Sequence, residues 1–323
     1  MRPGRKRGGD ETVLFFATDI HGSDVCWRKF VNAGKFYHAQ VLIMGGDLMG
    51  KMLVPITPAG SRWKADFSGR THQFQTRAEV DGFAKNLADM GFYTYECPED
   101  ELELYSDAAS REELIRTVAL ERVEAWMRFS DERLAGSGIE CFAQPGNDDL
   151  EGIEVLIEAS ATVRNCDGKR VELECGHELV ATGYSNITPW ATPRELSEVD
   201  LTVLMDGFFA ELEHPETAIA SLHVPPYGSH LDDAPLLDDD LRVQTLGGEP
   251  EMVPVGSTAV RDVILRHQPL LGLHGHIHEG QGQIRLGRTL CVNPGSEYHE
   301  ATLKGALIRL ADGQVKNVQF IRG

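Results

Sequence analysis

The chain has 323 residues, of which 41% are hydrophobic, and a formal net charge of −19. This length and composition exclude a disordered chain and allow a single α/β domain that carries an insertion. No apolar run approaches the roughly 18 residues needed to cross a bilayer, so we expect no membrane partner. The acidic charge would repel nucleic-acid backbones, so we expect no nucleic-acid partner either.

Two features bear on where the protein is expected to reside. Residues 1–9 contain four basic residues and three glycines but no apolar stretch, so we expect residues 1–10 to be a disordered basic tail rather than a secretory signal. The six cysteines are scattered and form no CxxC pair. This spacing favours reduced thiols in a cytoplasmic protein over disulfides or a zinc-thiolate site.

The first 50 residues alternate between strand and helix patterns. Residues 12–18 and 39–44 are short apolar runs typical of buried strands, and residues 24–33 have helical spacing. Each apolar run ends in a polar turn. A strand–helix–strand order predicts an α/β fold, in which ligands gather beyond the carboxyl ends of the strands.

An insertion, defined here as residues 50–138, interrupts this pattern. Residues 52–74 resemble a hairpin, and helices are expected around 78–90 and 111–134, with an acidic loop between them. A lid over the functional site and a purely structural flap are both compatible with this pattern.

The α/β pattern resumes after the insertion. The expected elements are a strand at 139–143, a hairpin at 172–184, a helix at 199–213, a strand at 218–222, an acidic loop at 227–255, a helix at 258–267 capped by Ser257, a strand at 270–273 and a terminal antiparallel hairpin.

Five of the strand ends carry side chains of the kinds that bind metals. They are Asp19 with His21, Asp47, Asn147 with Asp148, His223, and His276 with His278. Asp19 and His21 are two residues apart, as are His276 and His278, so in extended segments both members of each pair would point to one face. Oxygen and imidazole ligands suit manganese, iron, zinc, nickel or cobalt.

Each of these signals is weak when taken alone. Most isolated Asp-x-His pairs are surface turns, and Gly-Asp after a strand is commonplace. The Gly275–His278 segment is a stronger signal, because two imidazoles on one face are hard to explain otherwise. Their ordered combination, with each at a strand end, predicts a shared metal site.

These motifs resemble the calcineurin-like metallophosphoesterase superfamily, and within it the Icc-type predicted phosphoesterases. The resemblance covers about residues 12–49 and 139–323 and is carried by Asp19-Ile20-His21, Gly46-Asp47, Gly146-Asn147-Asp148, His223-Val224-Pro225, Gly275-His276-Ile277-His278 and Asn293-Pro294-Gly295-Ser296. It implies a four-layer αββα sandwich of two mixed β-sheets flanked by helices, here with a hairpin-plus-helical insertion.

The resemblance also implies a reaction. It is the hydrolysis of a phosphate ester, expected to be a small phosphodiester, by in-line attack of a metal-bridging hydroxide. The cofactors would be two divalent transition-metal ions, manganese foremost, with iron, zinc, nickel or cobalt as alternatives. By motif, Asp19, His21 and His278 would bind the first ion, Asn147, His223 and His276 the second, and Asp47 would bridge the two.

Asp148 departs from the family pattern, in which many members have histidine directly after the asparagine. An ionised carboxylate accepts hydrogen bonds and donates none. Asp148 therefore orients a ligand such as His223, shapes the turn, or acts directly, and we name Asn147, Asp148 and His223 as the candidate catalytic residues. The missing histidine favours phosphodiesters or esters with acidic leaving groups.

Other interpretations compete with this one. A catalytically weak metal-binding scaffold for protein interaction is the main alternative, and a nuclease is disfavoured by the net charge of −19. The insertion could form the interface of a homodimer as readily as it could form a lid. The sequence names neither the substrate nor the metal.

Overall fold

The computed structural model describes residues 11–323. The expected basic tail at 1–10 therefore lies outside the described residues. All six cysteines are free, as their scattered spacing predicts. Within residues 11–323, no helix combines the length and the apolar character that a bilayer crossing requires.

Two six-stranded mixed sheets form the centre of the molecule. In the first sheet, four parallel strands lie side by side in chain order, and an antiparallel pair from the C-terminus completes one edge. In spatial order its strands are Gln314–Arg322, Lys304–Ala311, Thr12–Ala17, Val41–Met44, Glu140–Ala143 and Val163–Asn165.

The second sheet has four parallel strands at its centre and one antiparallel strand at each edge. In spatial order its strands are Gly282–Leu286, Thr289–Asn293, Leu271–Leu273, Ile219–Leu222, Glu178–Thr182 and Arg170–Glu172. The terminal region expected to form one hairpin therefore forms two, one in each sheet.

The strand Thr12–Ala17 explains how the layers are held together. Leu14 and Phe16 point into a core shared with strands of the second sheet, so the two sheets pack face to face. Phe15 and Ala17 point the other way, into a core formed with helices. A strand buried on both faces needs apolar residues throughout, which is the pattern seen in the sequence.

Helices cover the outer face of each sheet, which confirms the predicted αββα sandwich. Most begin at a serine, threonine or aspartate whose side chain accepts a hydrogen bond from the first turn, including the predicted cap Ser257. The helices Asp24–Tyr37, Ala108–Leu134 and Ile153–Ala159 cover the first sheet, and Glu198–Ala210 and Thr258–His267 cover the second.

The insertion contains more sheet than the sequence predicts. Its four-stranded sheet has a small apolar core of its own. The strand Tyr93–Glu96, in the region expected to be a loop, pairs in parallel with Leu53–Ala59. The remaining insertion elements are the strands Arg62–Phe67 and Arg70–Phe74 and the helices Arg77–Asp89, Glu99–Leu102 and Glu103–Tyr105.

The long helix Ala108–Leu134 belongs to the outer layer of the sandwich as well as to the insertion. Trp126 stacks on Trp27 of the neighbouring helix, with ring centroids 5.3 Å apart and planes 8° from parallel. Outside the insertion, the shorter elements are the strands Ser185–Asn186, Glu195–Leu196, Asp233–Pro235, Thr245–Leu246, Glu249–Pro250 and Met252–Pro254 and the 3₁₀ turns Pro215–Thr217 and Tyr298–Glu300.

Hydrogen bonds attach the insertion to the loop that follows the first strand and hold the insertion's own first residue, Gly50, in place. The Tyr93 hydroxyl accepts from the backbone N–H of Gly50 at 2.9 Å. Arg122 donates to the carbonyl oxygen of Gly22 at 2.8 Å and to that of Phe92 at 3.0 Å. These contacts join the insertion to the loops of the predicted site.

We expect Tyr93→Phe to lower the free energy of unfolding by about 1–3 kcal/mol, because the buried N–H of Gly50 loses its acceptor. Tyr227→Phe serves as the control, since that side chain is 42% exposed, and it should change stability little. Urea denaturation of both variants measures the difference. Equal stability of the two variants would contradict the proposed anchoring of Gly50 by Tyr93.

Candidate metal centre

Seven of the predicted site residues meet at the edge where the carboxyl ends of both sheets' strands lie. We call them the polar cluster: Asp19, His21, Asp47, Asn147, His223, His276 and His278. Asp19, Asp47 and Asn147 follow strands of the first sheet, and the three histidines from 223 onwards follow strands of the second. The cluster therefore lies across the seam between the sheets.

The backbone reaches this arrangement by a route that the sequence did not predict. Asp19, His21, Asp47 and His276 have positive φ angles of 53°, 38°, 52° and 64°. They lie in left-handed turns rather than in extended segments, so alternation along a strand does not explain how the Asp-x-His and His-x-His pairs converge. Left-handed non-glycine residues are uncommon and tend to occur at functional sites.

One side of the cluster combines Asp19, His21 and His278. The Nε2 atoms of His21 and His278 lie 3.1 Å apart. The Nε2 atom of His278 also lies 3.7 Å from an Asp19 carboxylate oxygen. One ligand atom from each residue falls within a sphere small enough to hold a metal ion.

The other side of the cluster combines Asp47, His223 and His276, which could likewise hold a metal ion. The Asn147 amide oxygen joins them, 3.0 Å from Nε2 of His223 and 2.7 Å from Nδ1 of His276. The Asp47 Oδ2 atom lies 3.4 Å from Nε2 of His223 and 3.6 Å from Nε2 of His21. A single carboxylate oxygen therefore faces both sides.

Hydrogen bonds outside the cluster set the orientation of its side chains. His223 donates from Nδ1 to the carbonyl oxygen of Gly45 at 2.8 Å, which leaves Nε2 facing the cluster. The Asn147 amide nitrogen donates to the Thr192 hydroxyl at 2.9 Å, and that hydroxyl donates to Glu195 at 2.7 Å. Thr192 and Glu195 were not identified from the sequence, where nothing marks them as partners of Asn147.

Asp149 holds two of the turns together. Its buried carboxylate accepts from the backbone N–H groups of Leu48, Met49 and Gly146 at 3.0, 2.7 and 2.8 Å. Burial and the charge of Asp47 raise the pKa of Asp149 to about 7. The sequence shows two adjacent aspartates here, and only burial distinguishes the one that supports the backbone.

The carboxylates and imidazoles of the cluster have strongly perturbed pKa values. Burial alone would raise the pKa of Asp47, but His223 and His21 hold it well below its usual range. Burial alone would lower the pKa of His223, but Asp47 and Asp19 outweigh it and raise the value to about 10. Burial lowers the pKa of His276 to about 4, so that imidazole is neutral and free to bind a cation.

The donor set of the cluster fits metal ions. Asp19 and Asp47 are only 1% and 2% exposed, and buried carboxylates are costly without a compensating positive charge. Without a cation, protonated His223 provides part of that charge. Metal binding would take over this role, because metals compete with protons for imidazole nitrogens. The oxygen and nitrogen ligands suit divalent transition metals.

Asp148 lies beside the cluster, but it does not orient His223. Its carboxylate pairs with Lys51 at 2.5 Å and lies 4.0 Å from Nδ1 of His21. Its backbone N–H donates to Asp47 at 2.9 Å, so the turn itself also supports the cluster. Lys51, in the insertion, was not identified from the sequence.

Tyr298 and Asn293 complete the surroundings of the cluster. The Tyr298 ring lies 4.8 Å from the ring of His21, measured between centroids, so this tyrosine lines the site. The Asn293 amide donates to the carbonyl oxygens of Gly275 and Ile277 at 3.2 and 3.0 Å, and so braces the loop that carries His276.

Comparisons with known proteins leave the family open. No protein-family model matches the chain. An uncharacterized protein of Methanocaldococcus jannaschii, MJ1162, is 29% identical over 158 residues, which span 48% of this chain and 64% of that protein, less than two thirds of its length.

Solved structures also resemble this chain. The crystal structure of TT1561 from Thermus thermophilus aligns with a TM-score of 0.54 at 13% identity, covering 97% of this chain and 99% of that one. This likeness supports the shared fold alone. The E. coli phosphoesterase YfcE aligns at 12% identity over 95% and 98% of the two chains, but its TM-score of 0.31 is too low to support any argument.

We expect Gly146→Ala to abolish tight metal binding. A Cβ atom at this position would lie 2.1 Å from an Asp47 carboxylate oxygen and 2.3 Å from its backbone nitrogen, so Asp47 would have to move. Gly82→Ala is the matched control, because its Cβ would meet nothing within 4 Å in a helix and should stabilise that helix by about 0.5–1 kcal/mol. Manganese titration calorimetry on both variants tests this, and normal binding by Gly146→Ala would refute it.

Proposed function

We propose that the chain is a metal-dependent phosphoesterase that holds two divalent cations, manganese foremost. The observation that carries this proposal is the position of Asp47, whose Oδ2 atom lies 3.4 Å from His223 and 3.6 Å from His21. Asp19, His21 and His278 would hold one ion, and Asn147, His223 and His276 the other. Asp47 would contact both.

Two bound cations would supply an acidified water as nucleophile and neutralise negative charge on the phosphoryl group. The chain's own residues hold the arrangement in place. Asn147 directs its amide oxygen at the cluster and uses one N–H for Thr192, which leaves a second N–H for a phosphoryl oxygen. The hydrogen bond from His223 to Gly45 keeps the ring from turning away.

A small phosphodiester is the substrate class that we propose. The net charge of −19 repels a dianionic monoester more strongly than a monoanionic diester. Asp148 stands beside the cluster with its carboxylate paired to Lys51, where it accepts rather than donates a hydrogen bond. Esters whose leaving groups need no protonation should therefore react fastest.

We expect Asp47→Asn to reduce bound manganese from two equivalents to at most one and to lower kcat/KM by at least about 10²-fold, because even residues that merely orient metal ligands are worth about 10–100-fold. Elemental analysis and hydrolysis of bis(p-nitrophenyl) phosphate measure the two effects. Asp81→Asn is the control, since Asp81 is an exposed helix residue paired with Arg77.

Three outcomes would each contradict part of the proposal. Wild-type protein that loads no divalent metal would refute the metal centre itself. Protein that loads two equivalents yet hydrolyses neither bis(p-nitrophenyl) phosphate nor p-nitrophenyl phosphate would favour the metal-binding scaffold. Faster hydrolysis of the monoester than of the diester would overturn the substrate class alone.

A further inference from the structure

Lys51 places a positive charge at the rim of the polar cluster. Its Nζ atom lies 2.5 Å from Oδ1 of Asp148, while Oδ2 of the same carboxylate lies 4.0 Å from Nδ1 of His21. The Asp148 backbone N–H in turn donates to Asp47. One short chain of contacts therefore connects the ammonium group to the centre of the cluster.

The backbone that carries Lys51 is fixed while its side chain remains accessible. The preceding residue, Gly50, donates its N–H to the buried Tyr93 hydroxyl, and a Cβ there would lie 2.4 Å from the carbonyl oxygen of Gly91. The Lys51 side chain is nevertheless 53% exposed. The ammonium group is therefore open to solvent while the backbone next to it is held in place.

The negative charges of the site make a positive charge at Lys51 favourable for phosphate binding. Asp19, Asp47 and Asp148 would all repel a phosphate group. Among residues 11–323, Lys51 is the lysine or arginine that forms an ion pair with the cluster or with Asp148. An ammonium group has three donors, and the contact with Asp148 uses one, which leaves others for a phosphoryl oxygen.

We infer that Lys51 binds a phosphoryl oxygen of the substrate and that Asp148 is the residue that positions it. This inference rests on the proposed function and deepens it, because it assigns the Asp148–Lys51 pair to substrate binding. Lys51 would be the contact that the insertion contributes to the site. It acts as a fixed positive charge and transfers no proton.

Binding of inorganic phosphate to the manganese-loaded protein tests this inference without requiring turnover. We expect Lys51→Met to weaken phosphate binding by about tenfold, the loss typical of a hydrogen bond to a charged group, with unchanged manganese content. Lys51→Arg should retain most of the affinity. Lys64→Met is the control. This substitution also removes one positive charge from the insertion, but Lys64 pairs with Glu99 rather than with Asp148.

The role of Asp148 is tested by a double-mutant cycle. If Asp148 positions Lys51, Lys51→Met should weaken phosphate binding much less when Asp148 is already replaced by Asn. We expect the loss in the logarithm of the phosphate affinity to be less than half of the loss in the wild-type background. Equal costs in both backgrounds would refute the positioning role. Circular dichroism of each variant establishes that it is folded.

The outcomes separate this inference from the proposed function. Phosphate affinity of Lys51→Met within twofold of wild type, at equal manganese content, overturns the inference and leaves the proposed function intact. Wild-type protein that binds phosphate through Lys51 yet hydrolyses no ester supports the inference and overturns the function. Wild-type protein that loads no divalent metal overturns both.

Discussion

The burial of Asp47 is the constraint on which the rest of the site depends. Its carboxylate is 2% exposed and lies between His21 and His223. An ion taken out of water costs several kcal/mol unless opposite charge and hydrogen bonds compensate for it. The surrounding turns provide this compensation, since Asp148 donates a backbone N–H to Asp47 and Gly146 leaves room for its oxygen. A bound cation would complete it.

The sandwich provides the geometry that this buried charge requires. Asp19, Asp47 and Asn147 follow strands of the first sheet. His223, His276 and His278 follow strands of the second. Neither sheet alone can assemble the cluster. The apolar core between the sheets, which includes Leu14 and Phe16, therefore sets the distance between Asp47 and His223. A displacement in this core would therefore reach the site, because packed interiors transmit strain.

The buried strands and the seven polar residues at their ends were predicted from the sequence because both are local patterns, whereas the sandwich itself was predicted only from the family resemblance. The helix Thr258–His267 was predicted with its bounds. Several contacts between residues that are far apart in the chain were not predicted from the sequence. The strand Tyr93–Glu96 pairs with Leu53–Ala59 across a long segment, and no spacing in the sequence links Lys51 to Asp148 or Thr192 to Asn147.

The attachment of the insertion limits how it can serve the site. A lid must open, yet Arg122 donates to the carbonyl oxygen of Gly22, and the Tyr93 hydroxyl accepts from Gly50 beside the cluster. Lifting this part of the insertion would break these hydrogen bonds, each worth about 0.5–1.5 kcal/mol net, and would expose the buried Tyr93 ring to water. Any motion that admits substrate is therefore easier in the distal strands Arg62–Phe67 and Arg70–Phe74 than at the base. Lys51 lies at that base, next to the hydrogen-bonded Gly50, and this fixed backbone suits the phosphate contact that we infer for it.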